Sequence, residues 1–278
     1  MNTTVSARQL AAFREYLLRE EKSPATVEKY LRDAGNFAAY AAGKPVTKEL
    51  TISYKQHLVA QGYALRSVNS MLAGLNSLLR FLGWNNCRVK ILRCQRQTYC
   101  REDRQLTKGD YLRLLEASRH QEQLNLILQT ICATGIRISE LKYFTVEAVR
   151  TGDVSVRCKS KTRRILVPGK LKRLLLEYAK RHGISTGIIF CTRNGNPLDR
   201  SNIWAQMKRL CKAAGVTPGK VFPHNLRKLF ARTFYAVDKD IAKLADILGH
   251  GSIETTRIYI MTTGTEHRRK LERLGLVV

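Results

Sequence analysis

Acidic residues are scarce in this chain. Its 278 residues hold 22 Asp+Glu against 49 Lys+Arg, a net charge of +27. That imbalance calls for a polyanion or an anionic membrane surface as partner and does not choose between them. No apolar run reaches the ~18 residues a spanning helix needs, and the N-terminal Met1–Ser6 is polar. A membrane span and a secretory signal are therefore both unexpected. The seven cysteines (87, 94, 100, 132, 158, 191 and 211) are odd in number and include no C-x-x-C. Such spacing argues against a disulfide framework and a structural zinc site, and reads as reduced thiols in a cytoplasmic protein. The phosphate loops G-x-x-x-x-G-K-S/T and G-x-G-x-x-G are missing, as is H-E-x-x-H, and no paired acidic motif could hold two metals. Nucleotide-driven and two-metal nuclease chemistry fit poorly.

What is present can fill packed cores. Hydrophobic residues make up 44% of the chain and aromatics 8%, and the length suits two domains of ordinary size. The first part, residues 1–86, reads as a helical bundle. Leu10, Phe13, Leu17 and Leu18 recur at helical spacing behind Ser6, a candidate N-cap. Ser23-Pro24 opens a second helix, with Val27, Tyr30, Leu31, Ala34, Phe37 and Ala38 on one face and Gly43-Lys44-Pro45 as its stop. A third is predicted between Thr47 and Gln61, with Gly62 after it. The fourth carries Val68, Met71, Leu72, Leu75, Leu78, Leu79 and Leu82, and Gly83 closes it.

The pattern then breaks. Asn85–Gln105 holds six basic residues and only two acids, without a sustained apolar period, and residues 87–104 read as a basic linker. Residues 1–100 carry 15 basic and 6 acidic residues, so both parts of the chain are basic and both are expected to touch one polyanion. The remainder, 105–278, opens at Thr107 and Asp110, a short-side-chain capping box. Helices are predicted over 108–119 and 121–134. Val154, Val156 and Cys158 alternate, as do Ile165 and Val167, around a basic tip: an antiparallel hairpin. Leu171, Leu174, Leu175 and Tyr178 mark a helix, Ile188–Cys191 a short strand, and from Ser201 onward the pattern is almost wholly helical. The expected fold is mainly α with a small antiparallel β-sheet.

The candidate chemistry lies in this second part. Arg137 follows Gly135, which would end a helix and let the chain turn; an Arg there can fork two donors onto a phosphate or carboxylate, and Glu140 is placed to orient it. His224 and Arg227 stand three apart, so a helix turns both the same way, and Pro223 favours the helix's first turn, where backbone N–H groups attract anions. His250 sits between Gly249 and Gly251, which would let the backbone approach a substrate closely. Nine residues later comes Tyr259. A phenol is a weak nucleophile and needs positive neighbours or a base.

The ordered set Arg137, a hairpin lysine, His224-x-x-Arg227, His250 and Tyr259 resembles that of the tyrosine recombinase/integrase family. The words "ATGIRISEL", "HNLRKLFARTF" and "LGHGSIETTRIY" are similar to its signature segments. "SPATVEKYLRDAGNFAAYA" resembles, more loosely, its N-terminal four-helix SAM-like core-binding domain. One departure is Lys228, where many relatives carry His. Lys159 best matches the family's hairpin lysine, and Lys161 is its close rival.

The resemblance implies a site-specific recombinase. Tyr259 attacks a DNA phosphodiester, leaving a 3′-phosphotyrosine and a 5′-hydroxyl. Arg137 and Arg227 clamp the non-bridging oxygens, His250 donates a further hydrogen bond, His224 moves the nucleophile's proton, and the hairpin lysine protonates the leaving oxygen. Strand exchange passes through a Holliday junction and requires neither cofactor, ATP nor metal. The expected partners are double-stranded recombination sites and, through a tail at Glu266–Leu274, three further copies in a synaptic tetramer, in the bacterial cytoplasm at the nucleoid. The two domains would form a clamp around DNA. The chain begins directly with the bundle, which fits the simpler Xer-like or compact mobile-element recombinases. Arg66, Arg80, Lys90, Arg93 and Lys161 are candidate DNA contacts outside the chemistry. A type IB topoisomerase would use nearly the same residues on one duplex, and a non-catalytic DNA-binding relative would account for the charge but not for the full set. Lys159→Ala is expected to abolish cleavage and Lys161→Ala to spare it, as read by covalent adduct on a nicked duplex; the reverse result would give Lys161 the role.

Overall fold

The computed structural model describes residues 4–93, 99–158 and 161–276; of residues 158 and 161 it describes the backbone alone. The chain divides into two units, Met1–Arg96 and Gln97–Val278. In the first, four helices follow one another: α1 (Ala7–Arg19), α2 (Pro24–Ala41), α3 (Lys48–Ala60) and α4 (Leu65–Phe81). Their starts have local causes. Ser6 and Gln9 form a capping box, Pro24 occupies the first turn of α2 where its missing N–H costs nothing, and the Thr47 hydroxyl accepts from the Leu50 N–H. Phe13, Leu17, Val27, Ala34 and Leu78 pack together at one side of the bundle, and Phe37, Tyr54, Leu58, Val68, Leu72, Leu75 and Leu79 at the other. α2 and α4 approach closely at Gly74, where a Cβ would fall 2.8 Å from Asp33 Oδ2. Asp33 is buried there and paired with Lys29 at 2.5 Å.

The stretch read as a linker differs at its start. Cys87 and Val89 are buried in the bundle's core. Two asparagines of α4 hold this segment as a neighbouring strand would: Asn76 both donates to the Val89 carbonyl and accepts from its N–H, and Asn69 does the same for Leu92. Thr51 adds a hydrogen bond to the Cys87 carbonyl at 2.7 Å. Charge density hid this, because the residues that pack (Cys87 and Val89) alternate with the basic ones (Arg88 and Lys90). Arg66, Arg80, Lys90 and Arg93 are all exposed.

The second unit runs α5 (Lys108–Ala117), α6 (Glu122–Thr134), a 3-10 segment (Ile138–Tyr143), α7 (Val146–Thr151), β1 (Asp153–Cys158), β2 (Lys161–Leu166), α8 (Gly169–Arg181), α9 (Arg200–Ala214), α10 (Pro223–Val237), α11 (Ile241–Leu248), α12 (Ile253–Ile260) and α13 (Gly264–Glu272). Thr107 and Asp110 close the expected capping box on α5. β1 and β2 form a two-stranded antiparallel sheet with Val154 opposite Ile165 and Val156 opposite Arg163. Residues opposite one another share a face. Val154, Val156 and Ile165 are buried, so Arg163 also points inward, while Arg164 pairs with Asp153 on the outer face. Ile188–Cys191, read as a strand, makes only isolated bridges, Thr145 with Ile188 and Cys191 with Pro197. Its apolar run is buried because Ile189 and Phe190 anchor a connection, not because it joins a ladder.

α6, α10, α11 and α12 carry the site. α6 ends at Gly135, whose φ of +64° is a left-handed C-cap. A Cβ at Gly135 would lie 2.3 Å from Phe230 Cδ1 and 3.0 Å from Leu248 Cδ2. Gly135→Ala thus meets both left-handed strain and overpacking, and is expected to destabilise the fold by about 2–4 kcal/mol. The fall in urea midpoint measures it; an unchanged midpoint would show that Phe230 yields freely.

Candidate active site

Three helix ends converge on one small region. The turn after Gly135 delivers Arg137, whose backbone N–H and guanidinium Nη1 both donate to the Glu140 carboxylate, at 2.7 and 3.0 Å. Its Nη2 donates to the Gly249 carbonyl at 3.1 Å, beyond α11. Arg137 keeps 29% of its side chain exposed, so its charge can still meet a ligand.

Arg227, on the first turns of α10, has no exposed surface. Burying a guanidinium costs several kcal/mol unless its donors are satisfied. Here Nη1 donates to the Gly135 carbonyl, at the end of α6, and Nη2 to the Leu248 carbonyl at 2.5 Å, at the end of α11. Both are helix C-termini, where the backbone dipoles favour a cation. Nε has no partner. Burial, and then Arg137, lower the Arg227 pKa to about 10, which leaves it charged at neutral pH.

His250 follows the left-handed Gly249 that ends α11. Burial first, then Arg227, Arg137, Arg163 and His224, hold its pKa down to about 4. A neutral imidazole has one donor and one acceptor nitrogen. Arg227 Nη2 lies 3.0 Å from His250 Nε2 and can only donate, so Nε2 accepts and the proton sits on Nδ1, which faces the Thr256 hydroxyl at 2.9 Å. This tautomer is assigned from its partners. Thr256 is fully buried on α12, three residues before Tyr259.

Tyr259 is 7% exposed, and its Oη lies 3.4 Å from His224 Nε2. Its ring meets the His224 ring edge-on at 5.8 Å and the His250 ring edge-on at 4.7 Å, and Arg227 stands 5.8 Å from its centroid. His224 is exposed as a residue, yet partial burial of its ring, followed by Arg227, Lys228 and Arg137, lowers its pKa. It is therefore a neutral base beside the phenol. A cleft of about 560 Å³ opens against Arg137 and His224, with Trp204 and Phe222 in its wall.

Arg137, His224, Arg227, His250 and Tyr259 are thus brought together. Lys159 lies outside the described residues, and Lys161 is placed only by its backbone, at the start of β2 opposite Cys158. Lys228 is half-buried and its pKa is lowered by that burial. Two site residues carried no role in the sequence reading. Thr256 is one. The other is Arg163, whose Nη2 meets Glu140 Oε2 at 2.5 Å and whose Nη1 donates to the Ile247 carbonyl. The alternation Arg163, Ile165, Val167 was the available signal, since it puts the arginine on the inward face. Gly249 leaves room for Arg163: a Cβ there would come 2.6 Å from Arg163 Cδ, while at Gly251 it would meet nothing within 4 Å. Among the described residues, no group of three or more His, Cys, Asp or Glu could hold a metal, and no helix is long and apolar enough to cross a membrane.

Residues 104–265 match the phage integrase family and residues 10–86 its N-terminal SAM-like domain. The tyrosine recombinase XerA of Pyrococcus furiosus is 28% identical over 99% of this chain and 96% of its own length. Among solved structures, a lambda integrase (75–356) dimer bound to a core site superposes with a TM-score of 0.75, at 17% identity over 93% of this chain and 96% of that one. A lambda integrase tetramer bound to a Holliday junction superposes with a TM-score of 0.74, at 17% identity over 93% of this chain and 78% of that one.

The depressed histidines set a pH dependence. Unfolded His250 and His224 bind protons near pH 6.5, while the folded forms resist protonation, His250 until about pH 4. The unfolded state binds more protons between those values, so stability falls as pH drops through that window and is level above it. Urea midpoints between pH 4 and 8 are expected to show this slope, flattened in His250→Asn; equal slopes would mean His250 titrates normally in the fold.

Proposed function

Since the chain belongs to the phage integrase family, we propose that it is a site-specific tyrosine recombinase that cuts and rejoins DNA through a 3′-phosphotyrosine. The observation that carries this is the placement of Tyr259 Oη 3.4 Å from the neutral His224 Nε2, beside Arg227 and His250. A phosphate seated between Arg137 and Arg227 receives two forked cations on its non-bridging oxygens. The phenolic oxygen attacks phosphorus as its proton passes to His224. The bond from phosphorus to the 5′-oxygen breaks, and that oxygen takes a proton, for which Lys159 is the donor of choice and Lys161 the alternative. A 5′-hydroxyl of a second duplex then attacks the phosphotyrosine, and Tyr259 regains its proton. The ester is conserved through the covalent link, so no nucleotide is consumed.

His250 donates to the phosphate only after its proton moves from Nδ1 to Nε2. Thr256 suits either tautomer, because a hydroxyl both accepts and donates. When the phosphate draws Arg227 Nη2 away from Nε2, the hydroxyl can turn and donate to Nδ1.

The remaining cations grip DNA. Arg66, Arg80, Lys90 and Arg93 on the first unit, with Lys161 on the hairpin, offer phosphate contacts that supply affinity without sequence choice. The lambda integrase tetramer on a Holliday junction supports a synaptic tetramer here, and the bacterial nucleoid as its place of action accords with such a substrate. A nicked suicide duplex carrying the cognate site is expected to trap a covalent adduct with the wild-type protein and none with Tyr259→Phe, while gel-shift binding stays within about threefold. Resolution of a Holliday junction by the same protein identifies a recombinase. Supercoil relaxation without resolution would identify a topoisomerase, and no adduct on any site would end the enzymatic reading.

A further inference from the structure

Glu140 is a carboxylate shared by two guanidiniums. Its Oε1 takes Arg137 Nη1 at 3.0 Å and its Oε2 takes Arg163 Nη2 at 2.5 Å, and only 4% of its side chain is exposed. Arg163 is itself 12% exposed, sits on the inward face of β2 opposite Val156, and is bound at its other nitrogen by the Ile247 carbonyl of α11. Its Nε is buried without a partner among the described residues, as is that of Arg227. The guanidinium lies against Gly249, where a Cβ would come within 2.9 Å of Nε. Three segments that carry the chemistry therefore meet at one side chain: the hairpin, the Arg137 turn and the loop that presents His250.

We propose that Arg163 is a positioning residue that frees the charge of Arg137 for the transition state. This rests on the recombinase reading. Three guanidiniums, Arg137, Arg163 and Arg227, surround one carboxylate, and His224 and His250 are neutral, so the cluster carries a net charge of +2. A phosphodiester bears one negative charge, and the pentacoordinate phosphorus formed when Tyr259 attacks bears two once the phenolic proton has passed to His224. A net +2 complements the second state better than the first, and such differential stabilisation is what accelerates a reaction. Without Arg163 the cluster falls to +1. Glu140 would then have Arg137 as its only ion partner and would compete with the phosphate for it. Arg163 touches no reacting atom; it acts by occupying Glu140 and by fixing the carboxylate that aims Arg137.

Charge and shape are separable by a second substitution. Arg163→Met is expected to lower the rate of covalent adduct formation on the nicked suicide duplex by about 100-fold, with DNA binding unchanged. Glu140→Gln added to Arg163→Met restores the cluster to +2 and leaves an amide oxygen to accept from Arg137. That double variant is expected to regain about tenfold or more over Arg163→Met. Arg163→Lys, which keeps the charge without the fork, is expected to fall between Arg163→Met and the wild type. A methylphosphonate at the scissile position, neutral before attack and singly charged after it, is expected to shrink the Arg163→Met defect. Should Arg163→Met not fold by circular dichroism, Arg163→Gln carries the same comparison. A double variant no faster than the single one would overturn the proposal and leave Arg163 a structural tie. A wild-type protein that forms no adduct at all would instead defeat the recombinase reading, and the two failures are thereby distinct.

Discussion

The catalytic unit is organised around a buried cation. Arg227 is fully enclosed in a helical core, and a guanidinium in such a place requires acceptors on nearly every side. Its acceptors include the terminal carbonyls of α6 and α11, Gly135 O and Leu248 O, beside His250 Nε2. Those carbonyls are the orphan groups that every helix leaves at its end. One side chain thereby satisfies two helix termini, and the termini in turn hold it at a fixed point. Arg137 leaves the first terminus and His250 the second, so both inherit their positions from this arrangement.

The same geometry sets the partners and charge state of the site. Arg227 and Arg137 point at backbone carbonyls and at His250, which are weaker partners than a phosphate oxygen, and Arg137 also at the Glu140 carboxylate. His250 is held neutral by burial and by its cationic neighbours, and His224 is biased the same way. Burial, with the neighbouring cations second, thus biases both histidines toward the unprotonated form, which suits one as a base and the other as a neutral hydrogen-bonding group. Glu140 moderates the positive charge without cancelling it.

Much of the fold was legible along the chain because helices are set by local period and local caps. The apolar positions of α1, α2 and α4 and the capping boxes at Ser6 and Thr107 needed no tertiary information. Where reading failed, the cause was contact between segments distant in sequence. Residues 87–92 look like a solvated linker by charge, yet Asn69 and Asn76 hold them against the bundle. Ile188–Cys191 looks like a strand by composition, yet among the described residues it makes isolated bridges and joins no ladder. The space that the missing Cβ of Gly249 leaves is filled by Arg163 from the hairpin, a contact no local stretch announces.

By itself the sequence determined the chemical inventory: a cationic chain and an ordered set of Arg, His and Tyr residues that resembles one family's. Residue types and their order are enough for that, because each role demands particular functional groups. The protonation and tautomer of His250, the full burial of Arg227 and the sharing of Glu140 between Arg137 and Arg163 were decided only in the tertiary structure. These depend on distances of a few ångströms between helix ends and a strand that lie tens of residues apart, and on the low dielectric that packing creates around them. Neither quantity is written in any local stretch of the chain.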